Sequence, residues 1–374
     1  MKGRIAMTRE ERLATLRFLK SNELGLPGRY RYSALTRRPV LYASAYAAMT
    51  RHLLGDPIEE QEEWLRYLQS YQEADGLFRD PVIYGTGWYE GDPLWCGRPH
   101  LTCHVLEAIS CLGGTAEREI TFADPWKDTD FLIRWLKDRD WGKGVADTGN
   151  EIMNVANILQ YSRDYHADER AGRAVETILN WLSANRIDPS TGLWGDGDLT
   201  NPKNLSNAVQ GAYHWWAVFF YEGRTIPYAQ AAAAQVLRTQ NPLGGFGQGV
   251  HNPEDPWQSS ACEDIDSLDP LCRMLARGEI KGEEVRKSIR RGRRRVAENR
   301  MPDGGMVFYR GRPFEYGHPE LYGAADRGAM FPTWFRTLTL AVCDTALGDD
   351  TDFAFVHCPG YQFPIETEKN IDRS

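Results

Sequence analysis

The chain of 374 residues is long enough for one large domain or for two domains of average size. Hydrophobic residues make up 42% of it and charged residues 26%, a balance that excludes a disordered or collagen-like chain. The longest apolar stretch, residues 215–221, is too short to span a bilayer, and the net charge of −8 argues against binding to nucleic acid.

The helical period dominates the sequence. The first helix begins at Thr8, where Thr8-Arg-Glu-Glu11 forms a capping box, and Leu13, Leu16 and Phe18 lie on its apolar face. No alternating strand pattern extends beyond a few residues, which predicts an all-α fold. Eleven further helices are predicted over residues 38–54, 57–72, 99–113, 126–139, 147–165, 168–185, 203–222, 226–240, 262–277, 282–299 and 328–347.

Long glycine-containing loops separate these helices into pairs. The glycines that mark the loops, Gly76, Gly142, Gly192, Gly244 and Gly304, are 50 to 66 residues apart. One helix pair per period is typical of a repeat architecture, in which each unit buries its apolar face on the next. We therefore predict a single α/α toroid of six helical hairpins over 1–366, followed by a polar tail over 367–374.

Composition assigns the helices to two layers. The second, eighth and twelfth helices are rich in small, apolar and aromatic residues, as expected for an inner ring of even-numbered helices, whereas the third and eleventh helices carry highly charged faces. The run Arg286–Arg300 contains eight basic residues, which we interpret as a solvated, ion-paired outer face. The alternative is a surface that attracts phosphates, a membrane or an acidic partner.

The seven cysteines form no Cys-x-x-Cys pair, and their spacing matches neither a zinc ribbon nor a disulfide framework. We expect them to be buried thiols. The first thirteen residues include no apolar segment of the secretory type. These two features favour a cytoplasmic protein.

In a toroid of this kind the long loops gather at one end and lead into the inner helices. We therefore expect the functional site in the first turns of the even-numbered helices, where polar residues collect, although helix caps account for some of them. The candidate binding residues are His100, Asn150, Glu151, Asn154, Asn207, Gln210, Trp215 and Arg327.

The densest acidic cluster of the chain lies at the start of the tenth helix. Glu263, Asp264 and Asp266 are close enough in sequence for crowding to raise the pKa of one carboxyl group, which would then act as an acid near neutral pH. The same oxygens could instead hold Mg²⁺, or the residues could serve only to cap the helix.

Three segments carry a family resemblance. Residues 72–78, 102–109 and 191–195, together with the repeat period, resemble the terpenoid cyclase/protein prenyltransferase superfamily of α/α toroids. Gln72-Glu-Ala-Asp-Gly-Leu-Phe78 is similar to that family's Gln-x-x-Asp-Gly-x-Trp repeat, with Phe78 in place of Trp.

The acidic cluster resembles one motif of that superfamily in part. Asp264-Ile-Asp266-Ser267 is similar to the class II cyclase motif Asp-x-Asp-Asp, with Ser267 replacing the final Asp. The resemblance implies that Asp266 protonates an alkene of an isoprenoid and that Asp264 supports it. The prenyltransferase branch implies a zinc site instead, for which Cys262, Asp264 and His318 are the candidates, with the Asp-x-Cys order inverted.

A second class of enzyme uses toroids of similar length. Uronyl hydrolases, polysaccharide lyases and sugar epimerases line their cavities with His, Asn, Arg and aromatic side chains. On this interpretation Asp264 or Asp266 is a general acid, and His104 or His214 transfers the second proton. The partner would be a small molecule or an oligosaccharide in either case. A toroid that binds its ligand without catalysis is the third alternative, and the oligomeric state stays open.

Overall fold

The computed structural model describes residues 6–350 and 352–366; the predicted tail over 367–374 lies outside them. All twelve predicted helices are confirmed in this part of the chain. In chain order they are α1 (Arg9–Ser21), α2 (Leu41–Leu53), α3 (Gln61–Gln69), α4 (Arg98–Cys111), α5 (Thr129–Lys137), α6 (Val145–His166), α7 (Glu169–Ala184), α8 (Pro202–Tyr221), α9 (Ala229–Arg238), α10 (Ala261–Ala276), α11 (Glu283–Ala297) and α12 (Met330–Leu347).

The remaining regular structure is short. Three 3₁₀ turns cover Gly87–Tyr89, Thr121–Lys127 and Pro319–Leu321. Strand β1 (Ile187–Asp188) pairs antiparallel with β2 (Leu193–Trp194), so that Ile187 lies opposite Trp194. Strand β3 (Phe314–Glu315) pairs in the same way with β4 (Tyr322–Gly323). Both pairs lie in long loops, and each fixes the path of its loop.

Several helices begin where a side chain accepts from the first free backbone N–H groups. Thr8 and Glu11 form the predicted capping box of α1. Ser260 and Glu263 form a second capping box at α10. Asp168 accepts hydrogen bonds from two N–H groups at the start of α7. Each such cap stabilises its helix by about 1 kcal/mol.

The six even-numbered helices form a closed inner ring. Each even-numbered helix contacts the next one, from α2 through α4, α6, α8 and α10 to α12, and α12 contacts α2. These helices are buried along most of their length; in α2, for example, nearly every residue is buried. The odd-numbered helices pack outside them and expose their charged faces, as their composition predicts.

Close packing of α6 against α8 depends on two glycines. A Cβ atom on Gly149 would lie 2.6 Å from the carbonyl oxygen of Gly211. A Cβ atom on Gly211 would lie 2.6 Å from the carbonyl oxygen of Val145. Both distances are shorter than a van der Waals contact, so a side chain at either position would push the two inner helices apart.

The end of the described chain closes one end of the ring. The backbone N–H groups of Tyr361 and Gln362 donate to Glu107 Oε1 near the end of α4. The guanidinium of Arg273 on α10 donates to the carbonyl oxygens of Phe363 and Pro364. The segment over 353–366 therefore lies across the ring at the end opposite the long loops.

The basic run over 286–300 is only in part the solvated face that we predicted. Arg290 pairs with Asp349 at the surface. Arg293 is buried and pairs with Asp344 at 2.8 Å. Arg295 is also buried. The prediction of a solvated face is wrong for these two. Arg293 reaches inward to Asp344 of α12, on which α11 packs, and Arg295 is held by Glu298 and Gln258.

The cysteines are free thiols, as expected, and all except the partly exposed Cys262 are buried. Within the described residues no helix is both long enough and apolar enough to cross a membrane.

Candidate active site

A cavity of about 300 Å³ lies on the axis of the ring at the end where the long loops gather. The inner helices α4, α6, α8, α10 and α12 all contribute to its wall, as do the loops before α4, α10 and α12 and Tyr361 of the closing segment. This is the end of the even-numbered helices at which we predicted the functional residues. The residues that line it are Trp88, Trp95, His100, His104, Ala146, Asp147, Asn150, Gln210, His214, His251, Cys262, Asp266, Phe308, Phe314, Tyr316, Phe331, Phe335 and Tyr361.

One side of the cavity is aromatic. The rings of Phe308 and Phe314 stack with centroids 3.7 Å apart, and Tyr316 stacks on Phe331 at 4.8 Å. Phe331 also contacts Phe335, at 5.0 Å. Three of these five residues come from the loop before α12, whose β3–β4 pair holds Phe314 in place. The π faces of such a wall favour apolar ligands and attract positive charge.

Three aspartates follow one another along α10, and two of them have arginine partners. Asp264 accepts from Arg336 Nη1 at 2.6 Å and from the backbone N–H of Phe246 at 3.1 Å. Asp269 accepts from Arg273 Nε at 2.9 Å. Both pairs are buried, so their charges compensate each other inside the protein.

Asp266 is the third aspartate, and it differs from the other two. Its side chain lines the cavity, is only 2% exposed and has no hydrogen bond or ion pair within the described residues. Burial, reinforced by the nearby carboxyl groups of Glu263, Asp269 and Asp264, raises its pKa well above the ordinary value. Asp266 therefore faces the cavity, and its raised pKa favours the protonated carboxyl group.

Four histidines line the cavity, and burial keeps them uncharged. It lowers the pKa of His100 to about 3 and that of His214 to about 4. The pKa of His251 is likewise lowered to about 4, and that of His104 is lowered well below the ordinary value. No lysine or arginine is among the residues that line the cavity in the described part of the chain. At neutral pH the cavity wall therefore presents no cation.

Gln210 connects two of these histidines. His214 Nδ1 lies 2.7 Å from the carbonyl oxygen of Gln210, and His251 Nε2 lies 2.9 Å from Gln210 Oε1. Asn150 and Asp147 complete the polar side of the wall. Asp147 is exposed, unlike Asp266. Partial desolvation of its carboxyl group, followed by the charges of Glu151 and Asp140, raises its pKa.

Several predicted site residues lie next to the cavity but do not line it. Asp264 is held by Arg336, and Glu263 Oε2 accepts from the backbone N–H of Ser260 in the helix cap. Asn154 Nδ2 donates to the carbonyl oxygen of Leu94. The structure thus places these three residues in supporting positions.

The other predicted binding residues lie further from it. Glu151 pairs with Arg139, and Trp215 packs in the core against Trp141 and Trp194. Two further candidates line other pockets: Asn207 a separate one of about 160 Å³, and Arg327 a crevice of about 10 Å³.

The zinc candidates are not brought together. Cys262 lines the cavity, Asp264 is in its ion pair with Arg336, and His318 accepts from the backbone N–H of Glu320 in a surface turn. Among the residues that the structure describes, no three His, Cys, Asp or Glu side chains form a group that could hold a metal ion, Mg²⁺ included.

Sequence reasoning did not find the aromatic residues of the loops or His251. Phe308, Phe314 and Tyr316 lie between two helices, where no periodicity distinguishes a cavity wall from an ordinary turn. The signal that could have found them is positional, since each precedes an inner helix in a long loop of the same class as those already identified.

No protein-family model and no curated protein matches the sequence. Solved structures do match. A glycosyl hydrolase of family 88 from Bacteroides vulgatus aligns with a TM-score of 0.52 and 13% identity over 91% of this chain and 99% of its own. A polysaccharide lyase aligns with a TM-score of 0.52 and 10% identity over 90% of this chain and 96% of its own.

A type II terpene cyclase from Scytonema, in complex with geranylgeranyl dihydroxybenzoate, aligns with a TM-score of 0.50 and 12% identity over 91% of this chain and 97% of its own. This chain has the α/α-toroid fold. The predicted α/α-toroid fold is thereby confirmed. At these identities the similarity shows the fold and leaves the chemistry to the site itself.

Proposed function

We propose that this toroid is an enzyme that protonates a neutral, largely apolar polyene of the isoprenoid class and so initiates its cyclisation or rearrangement. The observation that carries the proposal is Asp266, a carboxyl group that has no partner within the described residues and faces a cavity with one aromatic side. Asp264 and Asp269 pair with arginines, and Glu263 caps the helix without lining the cavity. Asp266 is therefore the carboxyl group of α10 that is placed to donate a proton into the cavity.

The chemistry needs three contributions from the protein. The alkene π electrons take the proton from the Asp266 carboxyl group, which forms a C–H bond and leaves a carbocation and a carboxylate. The faces of Phe308, Phe331 and Phe335 can stabilise the cation as it moves along the chain. The aromatic side of the wall would leave little water beside the cation.

The size and charge of the cavity support a neutral substrate. A volume of about 300 Å³ is at the lower end for small-molecule sites and suits a folded hydrocarbon rather than a polymer. A diphosphate or a uronate inside it would be a buried anion without a cation, which is strongly unfavourable.

A carbohydrate-active enzyme is the second candidate. It is favoured by the polar side of the wall, where Asn150, Gln210 and His214 could hold hydroxyl groups. The sugar enzymes with similar folds add weight to it. Asp266 or Asp147 would then act as the general acid. The lack of a lysine or arginine in the described wall argues against a uronic acid as the substrate.

The test is turnover by the full chain of a panel of pure compounds. The panel contains geranylgeraniol, squalene, a geranylgeranylated phenol, geranylgeranyl diphosphate and an unsaturated glucuronyl disaccharide, with products analysed by mass spectrometry. We expect a neutral polyene to give a product of unchanged mass, and expect Asp266→Asn not to form it. Cleavage of the disaccharide would favour the second candidate, and binding without turnover of any compound would favour a non-catalytic toroid.

A further inference from the structure

A hydrocarbon alone would leave one side of the cavity without partners. The aromatic side of the wall matches the chain of a polyene, but Gln210, His214 and His251 line the cavity as well. Polar groups that lose water to an apolar ligand and gain no hydrogen bond in return weaken its binding. The direction of the hydrogen bonds on this side therefore indicates which group of the substrate lies against it.

The backbone determines which nitrogen of His214 carries the proton. Burial lowers the pKa of His214 to about 4, so its imidazole is neutral at neutral pH and has a single N–H group. His214 Nδ1 lies 2.7 Å from the carbonyl oxygen of Gln210, and a carbonyl oxygen can only accept. The proton is therefore on Nδ1, and Nε2 carries a lone pair.

The side chain of Gln210 orients a second imidazole. Its Nε2 donates to the carbonyl oxygen of Ser206 at 3.4 Å, so its Oε1 is the acceptor that lies 2.9 Å from His251 Nε2. His251 is also neutral at neutral pH, since burial lowers its pKa to about 4. The proton of His251 is therefore on Nε2 and its lone pair is on Nδ1.

The lone pair of His214 is open to the cavity. Its Nε2 has no hydrogen-bond partner within the described residues and, unlike His104 Nδ1, it is not fully buried. His214 is 7% exposed and lines the cavity. His251 lines the cavity too, and its Nδ1 is in the same way unpartnered within the described residues and not fully buried. This side of the wall thus presents two acceptors next to Gln210.

We infer that the substrate is a polyene with a hydroxyl group, which donates to His214 Nε2 while the hydrocarbon chain lies against the aromatic side of the wall. Gln210 is the positioning residue that keeps the imidazoles of His214 and His251 as acceptors. This inference rests on the proposed function and names its substrate class. A hydroxyl group is a neutral donor and needs no cation in the wall, whereas an ether or an ester has no proton to donate.

Binding can be measured with a ligand that the proposed acid cannot protonate at carbon. Hexahydrofarnesol is a branched alcohol without an alkene, and its methyl ether has the same chain but no donor. We would titrate the full chain with each and follow its tryptophan fluorescence, since Trp88 and Trp95 line the cavity. The dissociation constant should be at least about tenfold lower for the alcohol. Equal constants, or no binding of the alcohol, would overturn the inference.

Three variants assign this preference to His214. His214→Phe removes the acceptor, so the alcohol and the ether should bind alike. His214→Gln provides an amide oxygen that can accept, and it should keep part of the preference. His52→Phe, in the last turn of α2 and outside the cavity lining, is the control and should bind both ligands as the wild type does. An unchanged preference for the alcohol in folded His214→Phe would overturn the role of His214.

The proton positions can be observed without any ligand. Long-range ¹H–¹⁵N correlation spectra of the full chain, labelled in its histidine rings and assigned with single-histidine variants, should show His214 protonated at Nδ1 and His251 at Nε2. In Gln210→Met the backbone carbonyl remains, so His214 should keep its tautomer while the tautomers of His251 mix. A proton on His214 Nε2 in the wild type would overturn the inference, whether or not the His214 variants fold.

Turnover separates this inference from the proposed function. Geranylgeraniol should have a lower KM than its methyl ether, with a similar kcat, because the hydroxyl group is held equally in the ground state and the transition state. Conversion of both compounds with equal KM would overturn the inference and leave the proposed function standing. If no polyene is converted, the proposed function fails and the substrate class with it, even where hexahydrofarnesol binds through His214.

Discussion

Replacing Asp266 by Asn removes the proposed proton donor and little else. Among the residues that the structure describes, the side chain has no partner to lose, and a carboxamide is as neutral as the protonated carboxyl group that the raised pKa favours. We therefore expect stability and KM close to those of the wild type. General acid catalysis contributes about 10²–10⁴-fold, so kcat should fall by at least this factor. The loss corresponds to about 3–5 kcal/mol of transition-state stabilisation.

The assay is initial-rate consumption of the polyene that the wild type converts, with thermal denaturation to confirm folding. Asp147→Asn is the matched control, since Asp147 is the other carboxyl group among the residues that line the cavity. We expect kcat of this control to fall by less than about tenfold, because a residue outside the proton transfer contributes no general acid catalysis. A folded Asp266→Asn that retained kcat/KM within about tenfold of the wild type would refute the reasoning, since the lost proton alone exceeds that factor.

Three further predictions concern the scaffold. Arg336→Met leaves the buried charge of Asp264 uncompensated and should lower the free energy of unfolding, measured with denaturant, by about 3–5 kcal/mol. Adding Asp264→Asn to this variant should restore part of the loss. Gly211→Ala forces α6 and α8 apart and should cost about 1–3 kcal/mol or more, with Gly197→Ala, at an open position, as its control. Burial raises the pKa of Glu107 to about 8. The contribution of this carboxyl group to the free energy of unfolding is therefore fully present below its unfolded pKa near 4.5 and is lost as pH rises through about 8. In the Glu107→Gln variant the amide oxygen can still accept from the N–H groups of Tyr361 and Gln362, but the side chain does not titrate. The melting temperature of the variant should therefore fall less than that of the wild type between about pH 5 and about pH 9. Equal falls in the two proteins would contradict this assignment.

The fold was predictable because the information is local and repeated. Each helix carries its own 3.6-residue pattern, and the loop glycines recur at a nearly constant spacing. The capping box at Thr8 was read directly from four residues. Helix ends were less accurate; α3, for example, is confined to Gln61–Gln69 within the predicted 57–72.

The site was predictable only as a region. Sequence places Asp264 and Asp266 two residues apart, but which of them faces the cavity depends on Arg336, 72 residues away from Asp264 in the chain. In the same way, Trp215 resembles an aromatic cavity residue, whereas the structure packs it against Trp141 and Trp194. Pairings between distant helices decide these roles, and helical periodicity does not encode them.

The most direct test of the central claim is to run the wild-type reaction in D₂O and to measure the deuterium content of the product by mass spectrometry. Protonation by Asp266, whose carboxyl group exchanges with solvent, predicts a product isomeric with the polyene that carries one deuteron on carbon. A product without deuterium, or no product from any neutral polyene, would contradict the proposed acid-initiated chemistry.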